Sequence, residues 1–227
     1  MELTFTKTKT KQGHIILKPP QSKRTLIFIH GLGDSAENIS TIFSEDATVP
    51  PNTKVICVQA PYKQISKYNE KMNTWFDFTS GLFEHKGYSY DDVETNAKMI
   101  FEIIEEEVKQ YNSNCKNIFV GGFSQGCCMS LYIAFKFPYQ LGGIIGLSGM
   151  LFYELNDKEL LNKRKNIPIF IGHGYKDNIV NYTKAMKTYE NLKEFDNISF
   201  NTFNYEGHWV YFERELKIIK DFIEVNS

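Results

Sequence analysis

The sequence predicts an α/β fold: one mostly parallel central sheet, helices on both faces and an N-terminal β-hairpin. Three observations predict it. Near-continuous apolar runs of strand length recur along the chain, as strands buried on both faces require. Stretches of helical length, amphipathic or wholly apolar, alternate with them. The polar motifs that look chemical all fall at the carboxyl ends of the apolar runs, where such a sheet opens its active site.

Taken in order, Thr4-Phe5-Thr6 and His14-Ile15-Ile16-Leu17, parted by lysine, glutamine and glycine, read as the hairpin. Residues 25–29 form the first strongly apolar strand, which ends at His30-Gly31-Leu32-Gly33-Asp34. Val55-Ile56-Cys57-Val58 is the next and ends at Gln59-Ala60-Pro61. Residues 91–111 carry Val93, Ala97, Ile100, Phe101, Ile104 and Val108 at helical spacing. Ile118-Phe119-Val120 is a short buried strand, and residues 127–137 are apolar almost without break until Pro138 stops the helix. Residues 143–147 and 167–171 read as further buried strands. Ala185, Met186, Tyr189 and Leu192 mark a helix before a strand over 198–203, and a last helix covers residues 210–223. Nothing resembles a linker, repeat or low-complexity tail, so a single domain is expected over residues 1–227.

Composition narrows the partners. Lys+Arg is 26 against Asp+Glu 27, and the lysines form no stripe, so no field favours nucleic acid or an anionic membrane. The first residues contain no apolar signal region, Glu2 excludes N-myristoylation, and no run approaches membrane-spanning length. Cys57, Cys115, Cys127 and Cys128 follow no metal spacing and read as reduced thiols, which suits a cytoplasmic protein. No transmembrane segment is expected, and the assembly expected is a monomer or weak dimer.

Gly122-Phe123-Ser124-Gln125-Gly126 lies between the short strand and the buried helix. A serine at that turn is pushed into a strained, exposed position, and a Cβ on either glycine would collide with the adjoining strand or helix. The helix N-terminus behind it favours negative charge. That context is the nucleophile elbow of a serine hydrolase. A serine hydroxyl needs a base and the base an orienting acid, which follow in the order Ser, Asp or Glu, His. Only His173 and His208 come after Ser124. Asp177 stands just past one strand end and His208 past the next, so the pair uses both loops in the required order. His173 as base would leave only Glu154, Asp157 and Glu159 as acids, and it reads as a structural or wall residue. The oxyanion donors are expected to be the backbone N–H groups of Gln125 and Leu32. The glycine-rich loop around Leu32 lacks the Lys and Ser/Thr of a phosphate-binding loop. His30 reads as shaping that loop through hydrogen bonds.

His30-Gly31-Leu32-Gly33-Asp34, Trp75-Phe76-Asp77, Gly121 with the pentapeptide, Leu147-Ser148-Gly149, His173-Gly174 with Asp177, and Gly207-His208 occur here in order. As a set, over residues 12–225, they resemble the acyl-protein thioesterase and lysophospholipase-like carboxylesterases of the α/β-hydrolase superfamily. The resemblance implies Ser124, Asp177 and His208 as the triad, Leu32 and Gln125 as oxyanion donors, and no metal or organic cofactor. It implies acyl ester or thioester substrates, such as S-acylated proteins or lysophospholipids. It also implies a shallow hydrophobic acyl channel with Phe76, Leu82 and Phe83 near its mouth. Met150 stands where relatives carry a bulky wall residue. Residues 177–181, Asp-Asn-Ile-Val-Asn, lack the prolines many relatives have beside the valine, and Trp209 replaces a small polar residue. A short-chain carboxylesterase and a hydrolase-fold ligand-binding protein with little turnover are the alternatives.

Overall fold

A computed structural model describes residues 5–44, 48–80, 87–193, 197–204, 207–208 and 213–227. Strands β1 (Thr6–Lys9) and β2 (Ile15–Lys18) form the N-terminal antiparallel hairpin, its first strand displaced toward the turn from the expected position. Next come β3 (Arg24–Ile29), helix α1 (Ala36–Ser44) and β4 (Thr53–Val58). A small antiparallel ribbon, β5 (Tyr62–Ile65) and β6 (Glu70–Asn73), stands apart from the main sheet. Helix α2 (Tyr90–Lys109), β7 (Ile118–Phe123), α3 (Gln125–Lys136) and β8 (Gly143–Leu147) build the centre. The chain ends with α4 (Lys158–Lys163), β9 (Ile169–Gly174), α5 (Tyr182–Thr188), β10 (Ile198–Phe203) and α6 (Glu213–Val225).

The eight-stranded sheet runs in the order β1-β2-β4-β3-β7-β8-β9-β10. From β4 to β10 every neighbouring pair is parallel, and only the hairpin joins antiparallel. The alternation of a pleated strand sorts the apolar runs into two cores. Ile27 and Ile29 of β3 face the α2 and α3 side with Ile100, Ile104 and Leu131. Leu26 and Phe28 face the other side with Ile39 and Phe43 of α1 and Ile219 of α6. Helix α2 begins where Ser89 accepts from the Asp92 N–H, with Asp91 and Asp92 complementing the positive helix start.

Three differences from expectation have physical causes. The β5–β6 ribbon and the helices α1 and α4 were not legible. The ribbon is mostly exposed and has no apolar period, and the two helices are short, α4 burying only Leu161. Strand β9 continues through Gly172-His173-Gly174, because its parallel ladder to Asn201, Thr202 and Phe203 of β10 overrides the weak strand propensity of glycine. The helix marked by Ala185 and Leu192 breaks near Tyr189, leaving α5 and a separate 3₁₀ turn over Glu190–Leu192.

Candidate active site

The elbow is built from close backbone approach. A Cβ on Gly122 would lie 2.1 Å from the Gly126 carbonyl oxygen, and one on Gly126 would lie 1.9 Å from the Ile29 carbonyl oxygen. Both glycines are therefore obligatory, the first against α3 and the second against the end of β3. Gly126→Ala is expected to cost more than about 4 kcal/mol, seen as loss of folded protein. A melting curve close to wild type would show that α3 can slide off β3 freely.

Between the glycines Ser124 takes φ 55° and ψ −117°, a region that a non-glycine residue enters only under constraint. Two backbone bonds supply constraint: the Ser124 N–H donates to Leu147 O at 2.9 Å, and the Ser124 carbonyl accepts the Cys128 N–H at 3.2 Å. Ser124 occupies the N-cap of α3, yet its hydroxyl makes no capping bond. It lies instead 3.0 Å from His208 Nε2. The other ring nitrogen, Nδ1, lies 2.8 Å from Asp177 Oδ2.

Asp177 is buried at the end of β9, and every oxygen is engaged. Oδ1 accepts the N–H groups of Ile179 and Val180, both at 2.9 Å, while Oδ2 faces His208 and, at 3.2 Å, His173 Nε2. Burial alone would raise its pKa; the bonds from His173, His208 and the Val180 amide outweigh burial and hold the carboxyl far below the usual aspartate range. The group is an anion aimed at His208. The other acids the sequence offered are spent elsewhere: Asp157 caps α4, and Glu154 accepts from the Tyr88 hydroxyl at 2.6 Å.

His30 shapes the Leu32 loop as expected. Its Nδ1–H donates to Gly31 O at 2.7 Å, and its Nε2 accepts the Ala60 N–H at 3.2 Å, the one tautomer that serves both contacts. Burial pushes this imidazole down, against the Gly31 carbonyl and Asp34, which favour its charged form. In a planar trans peptide the Gly31 carbonyl and the Leu32 N–H point opposite ways. Turning the carbonyl onto His30 therefore turns the Leu32 N–H away from it. Gly31 packs closely enough beside Ser124 that an added Cβ would sit 3.4 Å from the serine Cβ.

Sequence reasoning missed the strut that joins the two expected oxyanion arms. The Gln125 amide oxygen accepts from Thr74 Oγ1 and the Trp75 N–H, each at 3.0 Å, and its Nε2 donates to Phe76 O at 2.9 Å. Trp75 Nε1 donates in turn to His30 O at 2.7 Å. A glutamine after a nucleophile shows its backbone role in sequence, but its side-chain partners come from another segment and leave no local signal.

A cavity of about 510 Å³ opens over Ser124 and His208. Leu32, Tyr68, Phe78, Phe123 and Ile179 give it an apolar wall, and Lys67 and Lys184 also line it. Phe76 and Met150, expected beside the acyl chain, do not line this cavity. Phe76 is sealed by the rings of Tyr88 and Phe152, with centroids 6.0 and 5.2 Å away, and Met150 is buried in the same core. Leu82 and Phe83 lie outside the described residues.

A hydroxyl, imidazole and carboxylate in series, beyond the carboxyl ends of a parallel sheet and behind a strained serine elbow, define the class of α/β-hydrolases. The chain belongs to the phospholipase/carboxylesterase family, which it matches over residues 11–227, and it is a hydrolase. It is 30% identical to acyl-protein thioesterase 1 of Candida albicans, over 89% of this chain and 94% of that one. It is 33% identical to acyl-protein thioesterase 1 of Neurospora crassa, over 88% and 85%. Among solved structures it superposes on acyl-protein thioesterase 2 of Zea mays with TM-score 0.80, at 24% identity over 94% and 98% of the two chains. Arabidopsis thaliana SOBER1 matches with TM-score 0.74, at 26% identity over 89% and 98%.

Proposed function

We propose that this enzyme cleaves thioester and ester bonds of acyl chains through an acyl-enzyme formed on Ser124. Ser124 Oγ attacks the acyl carbonyl while His208 Nε2 takes its proton. The backbone N–H groups of Gln125 and Leu32 hold the oxyanion, each worth about 2.7–4 kcal/mol in the transition state. The intermediate then collapses, and His208 gives the proton to the departing sulfur or oxygen, which leaves as the thiol or alcohol. Water enters by the same route in reverse and frees the acid. Asp177 fixes the tautomer of His208 and stabilises its charged form.

The observation that carries this reading is the unbroken Ser124–His208–Asp177 series, at 3.0 and 2.8 Å, opening into a cavity with an apolar wall. The names of the fungal relatives favour S-acylated proteins as substrates, with lysophospholipids sharing the same acyl group. One domain over residues 1–227 carries the reaction. No helix among the described residues is long and apolar enough to cross a membrane, and four free cysteines accord with a cytoplasmic location.

One observation favours a second reading, a short-chain carboxylesterase. Phe76, expected near the mouth of the acyl channel, is instead fully buried against Tyr88 and Phe152 and does not line the cavity over Ser124. Chain length separates the two readings. A buried CH₂ is worth ~0.8 kcal/mol, so four more should raise kcat/KM roughly 200-fold where a long channel exists. A series of acyl thioesters that peaks at acetyl or butyryl would overturn the long-chain reading and leave the esterase.

A further inference from the structure

His173 reads in the sequence as a wall residue, but its contacts tie it to the acid. It follows Ile169 and Ile171 in β9 at the two-residue spacing that keeps them on one face, and it is 1% exposed. Its Nε2 lies 2.8 Å from the Val180 carbonyl oxygen and 3.2 Å from Asp177 Oδ2. Its Nδ1 is buried and meets no hydrogen-bond partner among the described residues. A proton on Nε2 serves both oxygens and leaves Nδ1 a bare lone pair, where the opposite tautomer would strand a buried N–H. Val180 is thereby held at both ends, its N–H on Asp177 Oδ1 and its carbonyl on His173.

We infer that His173 is a positioning residue for the triad carboxylate, which closes the turn from Asp177 to Val180 and shares the oxygen on which His208 depends. The inference rests on the catalytic reading above. A carboxylate held on Oδ1 alone can still swing Oδ2 away from His208; a second donor beside Oδ2, mounted on a sheet strand, opposes that swing. The same donor draws charge from Oδ2, so it moderates how strongly Asp177 stabilises a protonated His208. Among the described residues, the titratable groups set against His173 are Asp177 on the following loop and Tyr182 of α5, whose ring centroid is 5.8 Å away. From β10 its ladder partner is the uncharged Thr202.

The test compares wild type with His173→Leu, which removes the donor, and His173→Gln, which restores an N–H at about the reach of Nε2. The readouts are kcat and KM for p-nitrophenyl octanoate across pH, and the histidine tautomers by ¹⁵N NMR of the wild-type protein. For His173→Leu, kcat should fall about 10- to 100-fold, the size of one charge-assisted hydrogen bond, with KM little changed. The acid limb of its kcat/KM profile should move to higher pH, and His173→Gln should recover both kcat and the limb. A folded His173→Leu with wild-type kcat and profile, or a folded His173→Gln no better than His173→Leu, would overturn the inference. So would a wild-type His173 carrying its proton on Nδ1, a measurement that needs no variant to fold. Failure of wild type to react with a fluorophosphonate would instead sink the catalytic reading, and the tautomer of His173 would still report on its own.

Discussion

Ser124→Ala is expected to abolish covalent labelling by a fluorophosphonate and to lower kcat/KM by on the order of 10⁵- to 10⁶-fold. The size follows from the geometry. The Ser124 hydroxyl takes up no capping bond and stands 3.0 Å from His208 Nε2, placed to accept its proton. A methyl group leaves His208 with nothing to activate, and only the oxyanion arms and the cavity remain to favour reaction over water. The substitution is mild for the fold, because the strained backbone is held by the Leu147 carbonyl and by α3 rather than by the hydroxyl. Losing side-chain functions that act as a unit is not additive. The double variant Ser124→Ala/His208→Ala should therefore be about as slow as either single one. Labelling that survives Ser124→Ala would place the nucleophile elsewhere and refute the proposed chemistry.

Asp177→Asn is the second large effect, a fall in kcat of on the order of 10⁴-fold with the fold retained. Oδ1 accepts two backbone N–H groups, so the asparagine amide oxygen must take that place. Its NH₂ then faces His208 Nδ1, where a carboxylate oxygen used to accept. The ring responds by carrying its proton on Nε2, and Ser124 meets an N–H in place of a lone pair. The same NH₂ confronts the Nε2–H of His173 and loses that contact as well, so the melting temperature should fall. Wild-type stability carries a matching pH signature. The folded pKa of Asp177 is depressed below its unfolded value, so its contribution is fully present above the ordinary aspartate value of about 3.9. It is lost progressively as pH falls below that value, and the asparagine variant should lack that part of the acid loss. An Asp177→Asn variant within about tenfold of wild-type kcat would show that the carboxylate does not set the tautomer.

Much of this site was legible before any coordinates. The pentapeptide lies between two apolar runs of strand and helix length, which places Ser124 at a strand-to-helix turn. Asp177 and His208 each follow a strand, in the order the chemistry demands. Those inferences need only neighbours along the chain. Other features depend on partners far away in sequence. Glu107 of α2 is buried against Lys54 at 2.6 Å and the Thr25 hydroxyl at 2.8 Å, contacts that no spacing along the helix announces. Trp75 and Phe76 read as one aromatic pair, yet the Trp75 indole braces His30 while Phe76 packs against Tyr88 and Phe152.

The sequence by itself determined the strands of the main sheet, most of the long helices, the elbow and the chain order of hydroxyl, acid and imidazole. Periodicity and turn chemistry are local, and a local pattern states which face a side chain takes. Only the tertiary structure decided what that face meets: that β3 lies between β4 and β7, that Gln125 clamps the segment from Thr74 to Phe76, and that His173 stands against the Asp177 carboxylate. Hydrogen bonds and ring contacts act over a few ångströms. Which groups come that close depends on how the elements pack, whether the residues stand four positions apart, as His173 and Asp177 do, or 51, as Thr74 and Gln125 do.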